Sequence, residues 1–233
     1  MKSQWNLQRS LVSNCLLACG IFSLFAFSAT TADAQYRAAR RWTPLFDGKT
    51  LDQWKKTNFG GEGEVQINDG QIQLDFGSSM SGITYTGSLP TTDYEVQLEA
   101  KRVDGIDFFC GLTFPVQDSF CSFIVGGWAG AVVGLSSIDG KDASENKTTR
   151  YMNFDTDRWY EIRVRVTARR IQAWIDGKRV VDQNIVGRDI STRNEVDLSQ
   201  PLGISTWETR AALRNIQIRQ LRFRPGRGAA PSE

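Results

Sequence analysis

The sequence predicts an all-β fold, an antiparallel two-sheet sandwich, and three observations carry that prediction. No helical period runs longer than two turns, and short strand-like segments recur with turn signals about every ten residues. Between Asp107 and Ser137, three apolar runs (Phe108–Phe114, Phe120–Val125 and Ala131–Leu135) are broken only by Pro115–Asp118 and by Gly126-Gly127-Trp128. Apolar runs of this length, bounded by turn residues, indicate strands buried on both faces at the centre of a sheet.

The chain opens with Lys2 and Arg9, an apolar stretch from Leu11 to Phe27, and an Ala-x-Ala site at Ala32-Asp33-Ala34. That pattern is a secretory leader over 1–34, cleaved before Gln35, and it makes the protein exported, periplasmic or extracellular. A lipoprotein-like box, Leu16–Cys19, fits less well, because apolar residues continue past Cys19. Lys2, Arg9 and Asp33 leave with the leader. The 28 basic and 26 acidic residues of the chain become 26 and 25, a net charge of +1. Such a balance excludes a strong general attraction to nucleic acid or to acidic membranes, and nothing else in the chain reads as spanning a membrane.

Residues 35–41 form a basic linker, and 42–223 have the length of one domain. In Trp42–Trp54, Asp47-Gly48 makes a turn between apolar anchors. Val65–Ile67 and Ile72–Leu74 flank Asn68-Asp69-Gly70 as a hairpin. Ile83–Tyr85 and Tyr94–Ala100 continue the alternation. After the central stretch and a polar loop from Ile138 to Arg150, Trp159–Val166 is the clearest strand. Its Tyr160, Ile162, Val164 and Val166 share one face, with Glu161, Arg163 and Arg165 on the other. Ile171–Ile175 and Lys178–Val181 form a second hairpin on Asp176-Gly177. A polar loop over Asp182–Gln200 precedes two closing strands, Leu202–Ile204 and Leu213–Leu221. The Pro-, Gly- and Arg-rich residues 224–233 read as a disordered tail.

Two cysteines remain after the leader. Cys110 and Cys121 either pair across the hairpin that turns at Pro115–Ser119 or pack as free buried thiols.

Several segments of the domain resemble the 3-keto-disaccharide hydrolase family. They are Leu45-Phe-Asp-Gly-Lys-Thr-Leu-Asp-Gln-Trp54, Trp159-Tyr-Glu-Ile-Arg-Val164, Trp174-Ile-Asp-Gly-Lys178 and Arg214-Asn-Ile-Gln-Ile218. The resemblance implies a jelly roll similar to the concanavalin A-like lectins and glucanases, and an exported protein acting on 3-oxidised glycosides. In that chemistry a ketone at C3 acidifies the C2 proton, a base removes it, the C1 substituent is eliminated, and water adds back. The site then needs a base, an acid for the leaving oxygen, and donors for the enolate. Where the family carries Asn-Ser-Gly, this chain reads Phe109-Cys110-Gly111. Where it carries Tyr-Glu, the chain reads Phe120-Cys121-Ser122, and there is no histidine anywhere. The resemblance therefore hands over no catalytic residue.

A replacement set follows from the residues themselves. Asp107, Asp118, Trp128, Ser136, Ser137, Asp139 and Asn146 lie on the central stretch or its loops. Strand pairing can bring them to one end or face of a sheet. Asp107 or Asp139 would serve as base and Trp128 would stack on a sugar ring, with turn formation the competing role for Asp118 and Asp139. Trp207-Glu208-Thr209-Arg210 adds an aromatic, an acid and a cation where the family's histidine would fall. Glu208 joins the catalytic candidates, and Trp207 and Arg210 the binding ones. Glu195-Val-Asp197-Leu-Ser-Gln200 mimics a glucanase strand but ends in Gln200 where a second carboxylate is needed, and it reads as a plain loop. No cofactor is required. Asp139, Asp142, Glu145 and Asn146 offer oxygens for a calcium ion without matching a known loop spacing. The expected partner is a carbohydrate or an oxidised glycoside, bound either by an enzyme or by a non-catalytic glycan-binding or adhesion domain of the same fold.

Overall fold

The computed structural model describes residues 41–221, so the expected leader, most of the expected linker and the expected tail lie outside the described residues. Fifteen strands follow in chain order. The first eight are β1 (Thr43–Pro44), β2 (Trp54–Lys56), β3 (Val65–Asn68), β4 (Gln71–Leu74), β5 (Met80–Tyr85), β6 (Tyr94–Gly105), β7 (Cys110–Val116) and β8 (Ser119–Gly126). The remaining seven are β9 (Val132–Ser136), β10 (Arg150–Tyr151), β11 (Tyr160–Thr167), β12 (Arg170–Ile175), β13 (Lys178–Asn184), β14 (Leu202–Trp207) and β15 (Thr209–Gln220). One sheet has the order β13-β12-β11-β6-β15-β4-β3, with β1 added on β15, and the other runs β10-β9-β8-β7-β14-β5-β2. All pairings are antiparallel. The predicted jelly-roll sandwich is the fold observed.

The core lies between the sheets and follows the strand period of two. Val96, Leu98 and Ala100 of β6, with Ile162, Val164 and Val166 of β11, face Leu112 and Phe114 of β7 and Phe123 and Val125 of β8. Asp176 and Gly177 take φ of 49° and 73°, the left-handed pair that a two-residue hairpin turn requires. Asp69 and Gly70 do the same at 49° and 74°.

β7 and β9 are buried along their whole length, and β8 beyond its first two residues, as the apolar runs predict. Only one of their faces meets the core. The other is covered by the polar loop after β9 and by a 3-10 helix at Asn194–Ser199. Small residues permit that approach. A Cβ on Gly134 would stand 2.9 Å from the Ala143 carbonyl oxygen, and one on Gly203 would stand 2.4 Å from that of Ser199.

Two expectations change. Pro115 does not end the strand. It lies within β7 opposite Phe120, and the turn is the tighter Gln117-Asp118. That register also decides the cysteines. Cys110 stands opposite Val125 and Cys121 opposite Phe114, about four residue steps apart along the ladder, roughly 13 Å. Both are free, fully buried thiols and no disulfide joins them. Burial raises both, Cys121 to about 12, so neither is a nucleophile at neutral pH. A thiol reagent is expected to label neither in the native protein and both once it is denatured. Native labelling at the unfolded rate would contradict this burial.

Candidate functional site

On the outer face of the second sheet, side chains that alternate with the core residues line a cleft. Ser122 and Ile124 of β8, Ser136 of β9, Met80 of β5 and Trp207 of β14 form its base. Strand order explains the meeting: β14 enters between β7 and β5, although about ninety residues separate it from β7. The walls come from three connections, carrying Asp107 and Phe108, Trp128, and Arg193 with Glu195 and Val196. Together they enclose about 250 Å³. A second cavity of about 370 Å³ adjoins it, lined by Phe59, Gly60, Gly61, Ser78, Ser79, Asn194 and Leu198. Met80, Glu195 and Trp207 border both.

Trp128 owes its place to a strained turn. Gly126 has φ 79°, and Trp128 and Ala129 take φ of 48° and 63°, a conformation that costs a side-chain-bearing residue on the order of 1–3 kcal/mol. Asp107 holds the turn, because its carboxylate accepts the Ala129 amide at 3.0 Å and the Phe108 amide at 2.7 Å. Beneath it, the buried Arg102 guanidinium donates to the carbonyls of Asp107 at 3.1 Å and Gly130 at 3.3 Å. Asp107 thus reaches the cavity with each carboxylate oxygen accepting a backbone amide.

The charged pair at the mouth is Arg193 and Glu195. Arg193 donates to Glu195 at 2.9 Å and to Asp142 at 2.9 Å, with its guanidinium 6.0 Å from the Trp128 ring centre. The hydrogen bond from Arg193 holds the Glu195 carboxyl below its ordinary range, and Glu195 in turn raises Arg193. Glu195 is therefore ionised at neutral pH and stands where the two cavities meet.

Of the residues singled out from sequence, Asp107, Trp128, Ser136 and Trp207 come together here. The others stand elsewhere. Asp118 is exposed at the far hairpin turn. Ser137 pairs through its backbone with Ser191 outside the cleft. Asp139 closes a turn, accepting the Asp189 amide at 3.1 Å and pairing with Arg188 at 2.8 Å, contacts that hold its carboxyl low. Asn146 donates to the carbonyls of Leu135, Lys141 and Asp142 and so organises its loop. Glu208 sits exposed at φ 42° in the β14–β15 turn. Arg210 pairs with Asp75 on the outer face of the other sheet. Among the described residues no group of three His, Cys, Asp or Glu side chains gathers as a metal site, so Asp139, Asp142 and Glu145 do not meet at one point. Arg214 and Arg219 pair with Glu99 and Glu95.

Sequence reasoning missed Arg193 and set Glu195 aside with its loop. The segment is indeed no strand, yet its 3-10 helix lays Glu195 and Val196 over the sheet. The available signal was the Arg-x-Glu spacing in a segment followed by strand β14.

Residues 41–219 match the family model described as a 3-keto-alpha-glucoside-1,2-lyase-like domain. The chain belongs to this family. Its function is accordingly carbohydrate-related. A search of curated proteins found no match. Among solved structures, the Emp46p carbohydrate recognition domain is similar at 11% identity with a TM-score of 0.53, over 78% of this chain and 100% of that one. A structure from work on endo-acting O-glycanases of the human gut microbiota gives 13% identity and 0.51, over 77% and 100%. A candidate glycosyl hydrolase of Parabacteroides distasonis gives 14% and 0.50, over 81% and 97%. At these identities the likeness establishes the fold. Among the described residues no helix is long and apolar enough to cross a membrane.

Proposed function

We propose that this family member is an exported 3-keto-glycoside hydrolase that works by elimination and hydration, with Glu195 as its base. The observation that carries this reading is Glu195, paired with Arg193 and bordering both adjoining cavities, in a cleft that Trp128 and Trp207 also line. Glu195 takes the C2 proton, the electron pair moves toward the C3 carbonyl, and Arg193 stabilises the developing enolate. As the enolate collapses, the C1–O bond breaks and its pair goes to the leaving oxygen, which takes a proton from protonated Glu195. Water then adds across C1=C2, its oxygen to C1 and a proton to C2. Trp128 and Trp207 supply ring faces for stacking. Asp107 acts as a positioning residue through the Trp128 turn.

The test is turnover of a panel of 3-keto-glucosides by the mature protein, with and without calcium. Aglycone release well above the uncatalysed rate is expected, with no calcium dependence. Trp128→Ala is expected to weaken substrate affinity about tenfold or more, as loss of one buried aromatic contact does. The absence of the family's Asn-Ser-Gly and Tyr-Glu motif residues favours a second reading, a non-catalytic glycan-binding domain. Sugar binding by calorimetry without any release would establish it and overturn the lyase.

A further inference from the structure

We propose that the smaller cavity is an aglycone subsite built for an aromatic ring carrying one hydrogen-bonding substituent, with the sugar in the adjoining cavity. This rests on the lyase reading and names its substrate class.

The smaller cavity, about 250 Å³, falls just below the range of about 300–1,000 Å³ typical of ligand pockets, which suits one ring. Its surfaces are those of Phe108, Ile124, Trp128, Val196 and Trp207. The carboxylates, the guanidinium and one hydroxyl that line it already have partners. Asp107 accepts two backbone amides, Ser122 Oγ shares a 2.8 Å hydrogen bond with Thr113, and Arg193 is held by Asp142 and Glu195. A sugar ring placed here would surrender the hydration of several hydroxyls with few donors or acceptors to replace it, at about 1–3 kcal/mol for each left unpaired. An aromatic ring has no such loss and gains offset or edge-on contact with Trp128 and Trp207.

One polar atom breaks the pattern. Ser136 Oγ lies beside Ser122 across the β8–β9 ladder, with the residue 1% exposed. It has no hydrogen-bond partner. A buried hydroxyl left unpaired in a native fold calls for a partner, and Ser136 is one of the residues that line this cavity. The adjoining cavity differs in character. Gly60, Gly61, Ser78, Ser79 and Asn194 bring backbone and hydroxyl groups suited to a sugar. Glu195 borders both, so a glycosidic oxygen spanning the junction lies beside the group that deprotonates C2 and returns the proton.

Leaving-group acidity must be kept out of the test, so the comparison is benzyl, 4-hydroxybenzyl and methyl 3-keto-glucosides, whose alcohols are similar acids. Benzyl is expected to exceed methyl in kcat/KM by at least about tenfold, the worth of one well-buried ring, and 4-hydroxybenzyl to exceed benzyl by about fivefold, the worth of one hydrogen bond. Ser136→Ala should remove that last preference. Calorimetry with free 4-hydroxybenzyl alcohol, and with glucose as the control, reads the subsite without chemistry. Equal turnover of methyl and benzyl substrates with no binding of the free alcohol would overturn the subsite and leave the lyase standing. Binding of the alcohol, weakened by Ser136→Ala, without turnover of any keto-glucoside would uphold the subsite and overturn the lyase. A hydroxybenzyl preference unchanged in Ser136→Ala would place a bound water, not the substrate, at that hydroxyl, and overturn its assigned role.

Discussion

Glu195→Gln is expected to abolish aglycone release, with kcat falling about 10²- to 10⁴-fold, the usual worth of a positioned general base, and substrate binding retained. Gln keeps the shape and one acceptor for Arg193 but has no basic oxygen. Arg193→Ala should lose about 10²- to 10³-fold, as removal of one enolate donor does. The acid limb of the pH–rate profile tests the same pair. Arg193 depresses the Glu195 carboxyl, so activity should persist below the ordinary glutamate range near 4.3 and fall only as pH drops through the lowered value. Arg193→Ala should move that limb upward. The pair's stabilising effect has the same sign, present above the unfolded pKa and lost as pH falls through the folded one. Wild-type kcat in Glu195→Gln would remove it from the mechanism.

Glu95→Ala should destabilise the fold by about 3 kcal/mol, read as a fall in Tm of roughly 6–12 °C for a domain of this size. Glu95 is fully buried on the outer side of β6, and its two carboxylate oxygens take Arg163, Arg165 and Arg219. Two of those guanidiniums lie over the Trp174 ring, at 4.2 and 5.2 Å, and the third over Trp42 at 4.4 Å. Removing the carboxylate leaves three like charges crowded over β6, β11 and β15. The guanidiniums are 20–33% exposed and can rehydrate in part, which holds the loss to the low end for a broken buried pair. Glu99 provides the contrast. It pairs with Arg214 over the Trp159 ring but is 26% exposed, so Glu99→Ala should cost about 1 kcal/mol or less. Equal losses at the two positions would show that burial is not what distinguishes them.

Local pattern was enough to read most of the fold. Alternation in Tyr160–Val166 reports one buried face because a strand's side chains have a period of two. Asp176-Gly177 reports a hairpin because few other pairs accept φ > 0 twice. The central apolar runs report burial on both faces, though not that loops cover the second face. The cysteine register was also within reach, since a two-residue turn at Gln117-Asp118 sets Cys110 against Val125. Reading Pro115 as part of the turn hid it.

The site was much less legible, for a physical reason. Asp107, Trp128, Ser136, Glu195 and Trp207 sit on separate segments, and only the order β9-β8-β7-β14-β5 brings their segments to one face. The Arg-x-Glu spacing is the one local mark on Glu195, and it does not place the residue in a cleft, because its role depends on a 3-10 helix packed across strands distant in the chain. Asp139 and Asn146 looked better and were spent on their own turns. The sequence alone determined the strands, their hairpins, the sandwich and the family, since each rests on contacts between near neighbours or on matched segments. Tertiary structure alone decided which carboxylate meets a guanidinium at the cleft and which hydroxyl is left without a partner, because long-range strand pairing makes those encounters.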